Sequence, residues 1–358
     1  MRLLTNQFSG PLPLPLIGNL HQLAYKMFIR KIEHGPLLTF WFGPTPTINI
    51  CDYATAVDAM VKKGSAFADR SLPYLFKLSR NGRGIMGSNG SQWLEQRRFA
   101  LHTLRNFGIG RNLIEERIMY EFEIACMSGS TWKFRKREIS NGSHVLRGEG
   151  EDFVDAFLLQ MEKEKKSGAP TSFEEEALLM TLLDLWAAGQ ETTTLTINWA
   201  FSYLLMNPQV TSRVEEELLR VTGGRRPLSI SDRPSTIYYN AVLTEIHRCA
   251  AIVHMNLSRD TSEDTVVGSY LIPKGTPIAA QISLVMINQA PIFQFNPDRF
   301  LNGNKLDQMV VPFGLGKRAC PGESLAQAEL YLVGSENTIT IIYFSQPDNK
   351  LRELVKHK

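Results

Sequence analysis

The sequence predicts a mainly α-helical protein with small β-sheets, and three observations support that fold class. An apolar pattern runs from Ala177 to Met206 and stops before Pro208, which is typical of one long helix. Helical spacing recurs in several shorter, charged segments along the chain. Strand-like sequences rich in β-branched and aromatic residues are confined to residues 37–50 and 265–285.

The composition is that of an ordinary folded protein. The chain has 358 residues, of which 43% are hydrophobic and 21% charged, with a formal net charge of +3. These values exclude a disordered chain, a collagen-like repeat and a disulfide scaffold. They give no support to nucleic-acid binding, which usually requires a strong basic excess on one face. No stretch reaches the roughly 18 consecutive apolar residues of a membrane span, and the N-terminus has no signal-peptide pattern.

The cysteines indicate a reduced protein. Cys51, Cys126, Cys249 and Cys320 are far apart in the chain and form no C-x-x-C pair. This spacing argues against a zinc site and against a disulfide framework. The default expectation for each cysteine is a small, buried, apolar side chain.

The N-terminal half is predicted to combine a stiff leader, a hairpin and helices. Three alternating prolines in residues 9–18 predict an extended segment. Residues 37–50 contain a Gly-Pro pair and predict two strands of a hairpin. The helices predicted in this half are 53–63, 91–106 and 112–125. The pattern then breaks, and residues 127–150, with a basic run expected to be solvated, predict a loop.

The long helix is predicted to begin at Thr171. Thr171 or Ser172 can cap it, and the glutamates that follow oppose the helix dipole in the first turn. Its interior, residues 187–194, contains a glycine and three consecutive threonines, which are poor choices for the middle of a helix. This polar, hydroxyl-rich break indicates that something lies against the helix.

The remaining elements follow from the same patterns. They are a charged amphipathic helix at 210–221 that ends at Gly223-Gly224, a helix at 239–251, strands with a turn at 265–285, a loop at 295–301, a glycine-rich stretch at 313–322 and a final helix from Glu323.

The glycine-rich stretch carries the strongest chemical signal. It places Cys320 between glycines at the entrance to a helix, where backbone N–H groups stabilise a thiolate. Arg318, two residues away, is expected to add positive charge. Glycines also allow a backbone to approach a flat ligand closely. The alternative is a glycine-rich turn that holds a buried cysteine.

This stretch resembles the haem-ligand loop of the cytochrome P450 monooxygenases, F-x-x-G-x-R-x-C-x-G. Every defined position matches, namely Phe313, Gly316, Arg318, Cys320 and Gly322. The resemblance implies the family's fold over residues 1–358 as a single domain. It also implies haem b (iron protoporphyrin IX) as cofactor, with Cys320 as the thiolate ligand of the iron.

A second match, Glu245-Ile-His-Arg248, corresponds to the family's E-x-x-R helix. The spacing of i and i+3 puts both charges on one face. The resemblance implies that they lock to Arg299 and support the haem loop as structural residues. Taken alone, the pair favours an ordinary ion pair on a helix surface, and only the position of Arg248, 72 residues before Cys320, gives the match weight.

The polar break in the long helix matches the family's oxygen-activation motif, A-G-x-E-T-T, at residues 188–193. The resemblance implies that Gly189 lets the helix open beside the haem. It implies that Glu191 and Thr192 form an acid–alcohol pair that relays protons during O₂ activation. The alternative is that Thr192 donates a hydrogen bond back to a carbonyl within an ordinary core helix.

A fourth match, Trp93-x-x-x-Arg97, implies donors to a haem propionate. An indole N–H and a guanidinium at i and i+4 face the same way and suit a carboxylate. By the same resemblance Arg318 points at a propionate, and Arg70 and Arg259 lie near positions where the family often supplies further donors.

The resemblance implies insertion of one oxygen atom from O₂ into an apolar organic substrate such as a lipid, fatty acid, steroid or xenobiotic. Electrons would come from NADPH through NADPH–cytochrome P450 reductase, docking where Arg97, Arg98 and Lys317 supply basic charge. The expected location is the cytoplasmic face of the endoplasmic reticulum membrane. Because no anchor helix is recognised, a cytoplasmic location is the alternative, and membrane association stays open.

The chain departs from the family in length. Residues 1–20 resemble the proline-rich hinge, and the motifs at Trp93 and Thr192 are closer together than the family's helices require. Residues 126–150 are therefore predicted to be a deletion junction or loop, with the helices over the substrate pocket missing. Two rival interpretations remain: a truncated, non-catalytic haem-binding remnant, and an isomerase of the same fold that uses no external O₂.

Overall fold

The computed structural model describes most of the chain. The described residues are 35–42, 44–70, 72–106, 141–142, 144–150, 152–168, 170–286 and 294–345. The predicted segment 1–20 and the predicted helix 112–125 lie outside them. Of the predicted junction 126–150, only 141–142 and 144–150 are described, and these form turns and bends, as a loop would.

Helices dominate the described part of the chain, as predicted. They are α1 (Tyr53–Val57), α2 (Tyr74–Arg80), α3 (Gly90–Asn106), α4 (Phe153–Ser167), α5 (Glu175–Met206), α6 (Pro208–Thr222), α7 (Ile237–Ala250), α8 (Ile282–Met286) and α9 (Glu323–Ser345). A π-helical turn, Asp58–Lys62, extends α1. Short 3₁₀ helices lie at Ile230–Ser235, Pro297–Phe300, Leu306–Met309 and Gly316–Arg318.

The strands form one four-stranded sheet and one hairpin. The strands are β1 (Leu37–Phe42), β2 (Thr45–Ile50), β3 (Arg259–Asp260), β4 (Thr265–Val267), β5 (Tyr270–Ile272) and β6 (Pro277–Ala280). In the sheet order β1-β2-β6-β3, β1 and β2 are the predicted antiparallel hairpin, and β6 runs parallel to β2. Strands β4 and β5 pair separately. A core cluster that includes Ile50, Phe67 and Ile278 packs the sheet against α1.

A second core joins α6 to α7, which carries Glu245 and Arg248, and to α9, which follows the Cys320 loop. Tyr239 on α7 and Tyr331 on α9 are fully buried, and Val214 on α6 packs into the same cluster. The Tyr239 hydroxyl donates to the Tyr331 carbonyl oxygen at 3.0 Å. Helix α5 packs against α7 and α9 as well. This core therefore sets the spacing between the helix that follows Cys320 and the helix that carries Thr192.

The start of the long helix differs from the prediction. Helix α5 begins at Glu175, with Glu174 as an N-cap residue whose side chain makes no capping bond. The hydroxyls proposed as caps have other partners, since Thr171 accepts from the Phe173 N–H at 3.0 Å and Ser172 donates to Glu95 at 2.9 Å. The capping prediction is wrong because these residues form the turn that precedes the helix.

Two helices were missed and one strand assignment was incomplete. Helix α4 has clear local signals, because Asp152 accepts from the Asp155 N–H and Gly168 ends the helix in the left-handed conformation. The short helix α2 follows Pro73. Helix α8 occupies the end of the stretch predicted as strands, because fully apolar short runs do not distinguish a strand from a buried helical turn.

Among the residues that the structure describes, no helix is long and apolar enough to cross a bilayer.

Candidate active site

The loop that precedes α9 holds Cys320 in a defined turn. The Cys320 N–H donates to the Phe313 carbonyl oxygen at 2.9 Å, and the Ala319 N–H donates to the Gly316 carbonyl oxygen at 2.9 Å. Gly316 has a φ of +74°, and a Cβ placed there would overlap the carbonyl oxygen of Met60. The turn therefore requires glycine, because any other residue would collide with the π-helical turn behind it.

The Cys320 side chain lies on an open face of the molecule. Desolvation by the protein atoms around the thiol raises its pKa, and the Gly322 N–H and the Arg97 guanidinium oppose that shift. Glu323 raises the pKa further. The predicted backbone stabilisation is therefore present but outweighed. The charge that favours the thiolate comes from Arg97, and the prediction that Arg318 supplies it is not confirmed.

Four arginines form a cationic cluster beside this loop: Arg70, Arg97, Arg259 and Arg318. Burial, followed by repulsion from the other three, lowers the pKa of Arg318 to about 9. Burial and the neighbouring arginines also lower the pKa values of Arg70 and Arg259 to about 10 each. Burial lowers the pKa of Arg97. Buried cations that repel one another favour an anionic partner.

The arginines of the cluster differ in how many of their N–H groups are bonded to the protein. Arg318 donates to the carbonyl oxygens of Ala68 (2.6 Å), Ile85 (3.3 Å) and Ser88 (2.8 Å), and its guanidinium lies 3.7 Å from the ring centre of Trp93. Its predicted orientation toward a propionate is not seen in this arrangement. The Arg97 Nη2 donates to the Ala319 carbonyl oxygen at 2.6 Å, which ties α3 to the Cys320 loop.

Three buried donors in the same region have no acceptor within the described structure. They are the indole Nε1 of Trp93, the Nε of Arg70 and the Nε of Arg259. Unsatisfied buried N–H groups are rare and costly, so each calls for an acceptor. These donors and the cationic cluster fit the carboxylates of a haem, and the nearby thiol fits its iron. The residues that would hold the haem are therefore Cys320, Trp93, Arg70 and Arg259, with Arg97 between them.

Asn89 was missed by the sequence analysis. Its side-chain oxygen accepts from the Arg70 backbone N–H at 2.9 Å and from the Arg318 Nη2 at 3.0 Å. Its side-chain amide donates to the Arg70 carbonyl oxygen at 3.0 Å. Asn89 therefore links two members of the cluster. Its place directly before Gly90 and α3 was the available signal.

The structure brings Glu245, Arg248 and Arg299 together as expected. Glu245 is fully buried and accepts from Arg248 at 2.7 and 2.8 Å, and the Arg299 Nε donates to it at 3.1 Å. Both arginines also donate to the Gln294 carbonyl oxygen. The backbone N–H of Asn296 donates to Glu245 at 2.8 Å. The alternative of a helix-surface pair is excluded, because the triad is buried and anchors residues 294–299.

The oxygen-activation motif lies on a different kind of surface. Residues 186–192 of α5 are exposed, and a Cβ placed on Gly189 would meet nothing within 4 Å. The Thr192 hydroxyl donates to the Ala188 carbonyl oxygen at 2.6 Å. Helix α5 is continuous through this stretch, so the opening predicted at Gly189 is not seen. The small residues leave free space beside the helix without distorting its backbone.

Comparisons with known proteins identify the family and the fold. A family model described as cytochrome P450 matches residues 8–130 and 127–335. The chain is 31% identical to the probable cytochrome P450 cyp-35D1 of Caenorhabditis elegans, over an alignment of 434 residues that covers 90% of this chain and 86% of that protein. It is also 31% identical to cytochrome P450 2C23 of Rattus norvegicus, over 417 residues that cover 90% and 84%. Both alignments are longer than this chain and so include gaps within it.

A solved structure of a zebra fish cytochrome P450 with progesterone matches the fold. The TM-score is 0.76 at 24% sequence identity, and the match covers 87% of this chain and 90% of the other. At that identity the likeness establishes the fold alone. The family match and the curated relatives establish membership: the chain belongs to the cytochrome P450 family of haem-thiolate monooxygenases.

Proposed function

We propose that this chain inserts one oxygen atom from O₂ into an apolar organic substrate, with electrons from NADPH delivered by a reductase. The observation that carries the proposal is that Arg97 connects the Cys320 loop to α3, the helix that holds Trp93. Its guanidinium bonds to Ala319, beside the thiol, and α3 also carries Trp93 with its unpartnered buried indole N–H. A thiol and a set of anion donors are thereby held in one site.

The residues would divide the work as follows. A bound haem supplies the O₂-activating chemistry of a thiolate-ligated iron. Cys320 provides the thiolate, and the N–H groups of Trp93, Arg70 and Arg259 bind the propionates. Glu245, Arg248 and Arg299 hold residues 294–299 in place behind the site, which is a structural contribution.

Proton delivery is assigned to Glu191 and Thr192. Both are exposed on the same stretch of α5, so each can exchange protons with solvent. The Thr192 hydroxyl hydrogen is engaged by the Ala188 carbonyl oxygen, which leaves the hydroxyl oxygen free to accept a hydrogen bond. A hydroxyl held in this way is able to pass a proton toward a reacting group while its position stays fixed.

The electron donor is proposed to be NADPH–cytochrome P450 reductase, acting on the side of the Cys320 loop. Lys317 is exposed on this loop and donates to the Ser65 hydroxyl at 2.7 Å, and Arg98 is exposed on α3 next to Arg97. Arg97 is half-buried, and its guanidinium is already bonded to Ala319. It is therefore proposed to attract the reductase through its positive charge and not through a direct contact. Exposed cations steer an acidic partner in a salt-dependent way. The endoplasmic reticulum membrane is the proposed location, by analogy with microsomal relatives.

A spectroscopic experiment tests the haem site. The chain is expressed with a haem precursor, reduced with dithionite and exposed to CO. A strongly red-shifted Soret band is expected, because a thiolate ligand produces it. A spectrum typical of a neutral thiol or another ligand would contradict the assignment of Cys320.

A turnover experiment tests the reaction. The haem-loaded protein is mixed with reductase and NADPH, and a panel of lipids, steroids and xenobiotics is screened for product that depends on O₂. Consumption of NADPH with an oxygenated product is expected. Absence of NADPH consumption across the panel would contradict the proposal.

A second candidate is a haem-binding remnant without turnover. The observation that favours it is the exposed apolar surface of α5, including Trp186, which is 59% exposed, and Leu183, which is 42% exposed. Large exposed apolar patches are sites of association or aggregation. A normal thiolate spectrum without O₂-dependent product favours the remnant. Soluble, monomeric, haem-loaded protein that forms product favours the enzyme.

A further inference from the structure

The buried carboxylate of Asp184 on α5 bonds to residues 80–86, a segment that contacts the arginine cluster. Asp184 is 4% exposed and pairs with the Nη1 of Arg80, which is 9% exposed and ends α2. The second Asp184 oxygen accepts from the backbone N–H of Met86 at 2.9 Å. One side chain on α5 therefore holds both ends of residues 80–86.

The chain is shaped to admit this carboxylate. Gly84 has a φ of +84°, and a Cβ placed there would overlap the Asp184 carboxylate. Only glycine allows both that conformation and that close approach. The Arg80 guanidinium also lies 4.2 Å from the ring centre of Phe76. The contact between α5 and residues 80–86 is therefore built into the sequence on both sides.

The same segment presents its carbonyl groups to the arginines. Met86 accepts from the Arg70 Nη1 at 2.8 Å, and Ile85 accepts from the Arg318 Nη1 at 3.3 Å. Ser88, two residues further on, accepts from the Arg318 Nη2 at 2.8 Å. A displacement of residues 80–86 would therefore displace the acceptor of Arg70, whereas Arg318 would keep its shorter bonds to Ala68 and Ser88.

We propose that Asp184 is a positioning residue that fixes residues 80–86 and thereby orients Arg70 at the haem edge. The inference rests on the proposed haem site, and it links the helix that carries Thr192 to Arg70, one of the arginines proposed to bind a propionate. Burial raises the pKa of Asp184, while the Met86 N–H and Arg80 lower it.

The main test compares Asp184→Ala with Arg83→Gln. Arg83 lies in the same segment, but its partners Glu174 and Glu176 have side chains that are 47% and 69% exposed. Haem dissociation from Asp184→Ala is expected to be about tenfold faster than from the wild type, because charge-assisted contacts to the propionates are lost. The reduction potential of its haem should become more negative as the Arg70 cation moves away. Arg83→Gln should match the wild type in both measurements.

A double variant separates positioning from simple charge pairing. In Asp184→Asn with Arg80→Met, an amide oxygen still accepts from Met86 and no cation is left buried without a partner. This protein is expected to keep the wild-type dissociation rate within about twofold and to keep the potential. It also tests the proposal if Asp184→Ala yields no haem-loaded protein. A tenfold loss in the double variant would overturn the proposal.

The wild-type measurements distinguish the two levels of inference. Suppose that the wild-type protein shows the thiolate spectrum and that Asp184→Ala leaves the rate of haem dissociation and the reduction potential unchanged. That result overturns the positioning role of Asp184 alone. A wild-type protein without that spectrum overturns the proposed function first.

Discussion

The two regions that form the proposed active site differ in burial and in hydrogen bonding. The proximal side consists of the Cys320 loop, the arginine cluster and the triad Glu245, Arg248 and Arg299. Apart from Cys320, its polar side chains are largely buried. The triad bonds within itself, and arginines of the cluster donate to backbone carbonyl oxygens. The distal face, residues 186–192 of α5, is exposed, and Thr192 bonds only within its own helix among the contacts of the described residues.

This difference in burial predicts which substitutions lower the stability of the protein and which lower only its catalytic activity. Breaking a buried ion pair leaves an uncompensated charge in a low dielectric and costs several kcal/mol. Changing an exposed side chain away from such features usually changes stability by less than about 0.5 kcal/mol. Substitutions on the proximal side should therefore affect folding and haem binding together. Substitutions on the distal face should affect the reaction and leave the fold intact.

The largest effect is expected from Cys320→Ala. Removal of the sulfur should abolish the red-shifted Soret band under CO and reduce product below detection, because no other described thiol lies on this loop. The control is Cys51→Ala, which removes a fully buried cysteine in the sheet region and should keep the band. A thiolate spectrum in Cys320→Ala would place the ligand elsewhere and undo the comparison.

The next effect in size is expected from Glu245→Gln. Loss of the carboxylate leaves Arg248 and Arg299 without their shared counter-charge, at a cost of about 3–5 kcal/mol in the free energy of unfolding. Denaturant titration measures it, and the fraction of haem-loaded protein should fall as well.

The matched control is Asp298→Asn in the neighbouring 3₁₀ helix. Asp298 pairs with Arg213 at 2.9 Å, and both side chains are about half exposed. Its loss should cost less than about 1 kcal/mol. Equal costs for the two variants would show that burial does not set the difference between the regions.

Thr192→Ala tests the distal face. We expect product per NADPH consumed to fall by about two orders of magnitude, the range typical of a lost proton-transfer group. Stability should stay within about 0.5 kcal/mol, because the substitution removes one intrahelical bond and introduces a better helix former. Stopped-flow turnover and denaturant titration are measured on the same preparation. A large loss of stability would assign Thr192 to the core and support the ordinary-helix alternative.

The sequence was most informative where its signals are local or belong to a long motif. Helix α5, the β1–β2 hairpin and the Glu245–Arg248 pair each depend on a periodicity or spacing within one stretch of chain. The partner Arg299 came from the family resemblance, and the structure does place it on Glu245. The predicted cap of α5 was wrong because Thr171 and Ser172 bond to Phe173 and Glu95 in the turn before the helix, which begins at Glu175.

Long-range polar contacts could not be predicted from the same patterns. Asp184 and Arg80 are 104 positions apart, and no periodicity joins them, although an aspartate inside an apolar helix was a visible signal. The orientation of Arg318 depends on which carbonyl groups reach it from Ala68, Ile85 and Ser88. Those carbonyls are placed by tertiary packing, which residue identity does not reveal.

The smallest effect is expected from a pair of identical substitutions, Trp93→Phe and Trp186→Phe. Trp93 is 4% exposed on the proximal side, and its indole N–H is buried without an acceptor, whereas Trp186 is 59% exposed on the distal face. Phenylalanine keeps an aromatic ring under the Arg318 guanidinium but removes the N–H. If that N–H binds a haem propionate, Trp93→Phe loses one charge-assisted bond, which corresponds to about tenfold faster haem dissociation. Trp186→Phe should stay within about twofold of the wild type. Transfer of haem to an excess of apomyoglobin measures both rates. Equal rates for the two variants would mean that the indole N–H of Trp93 does not bind the cofactor, and the proximal donors would then reduce to the arginines.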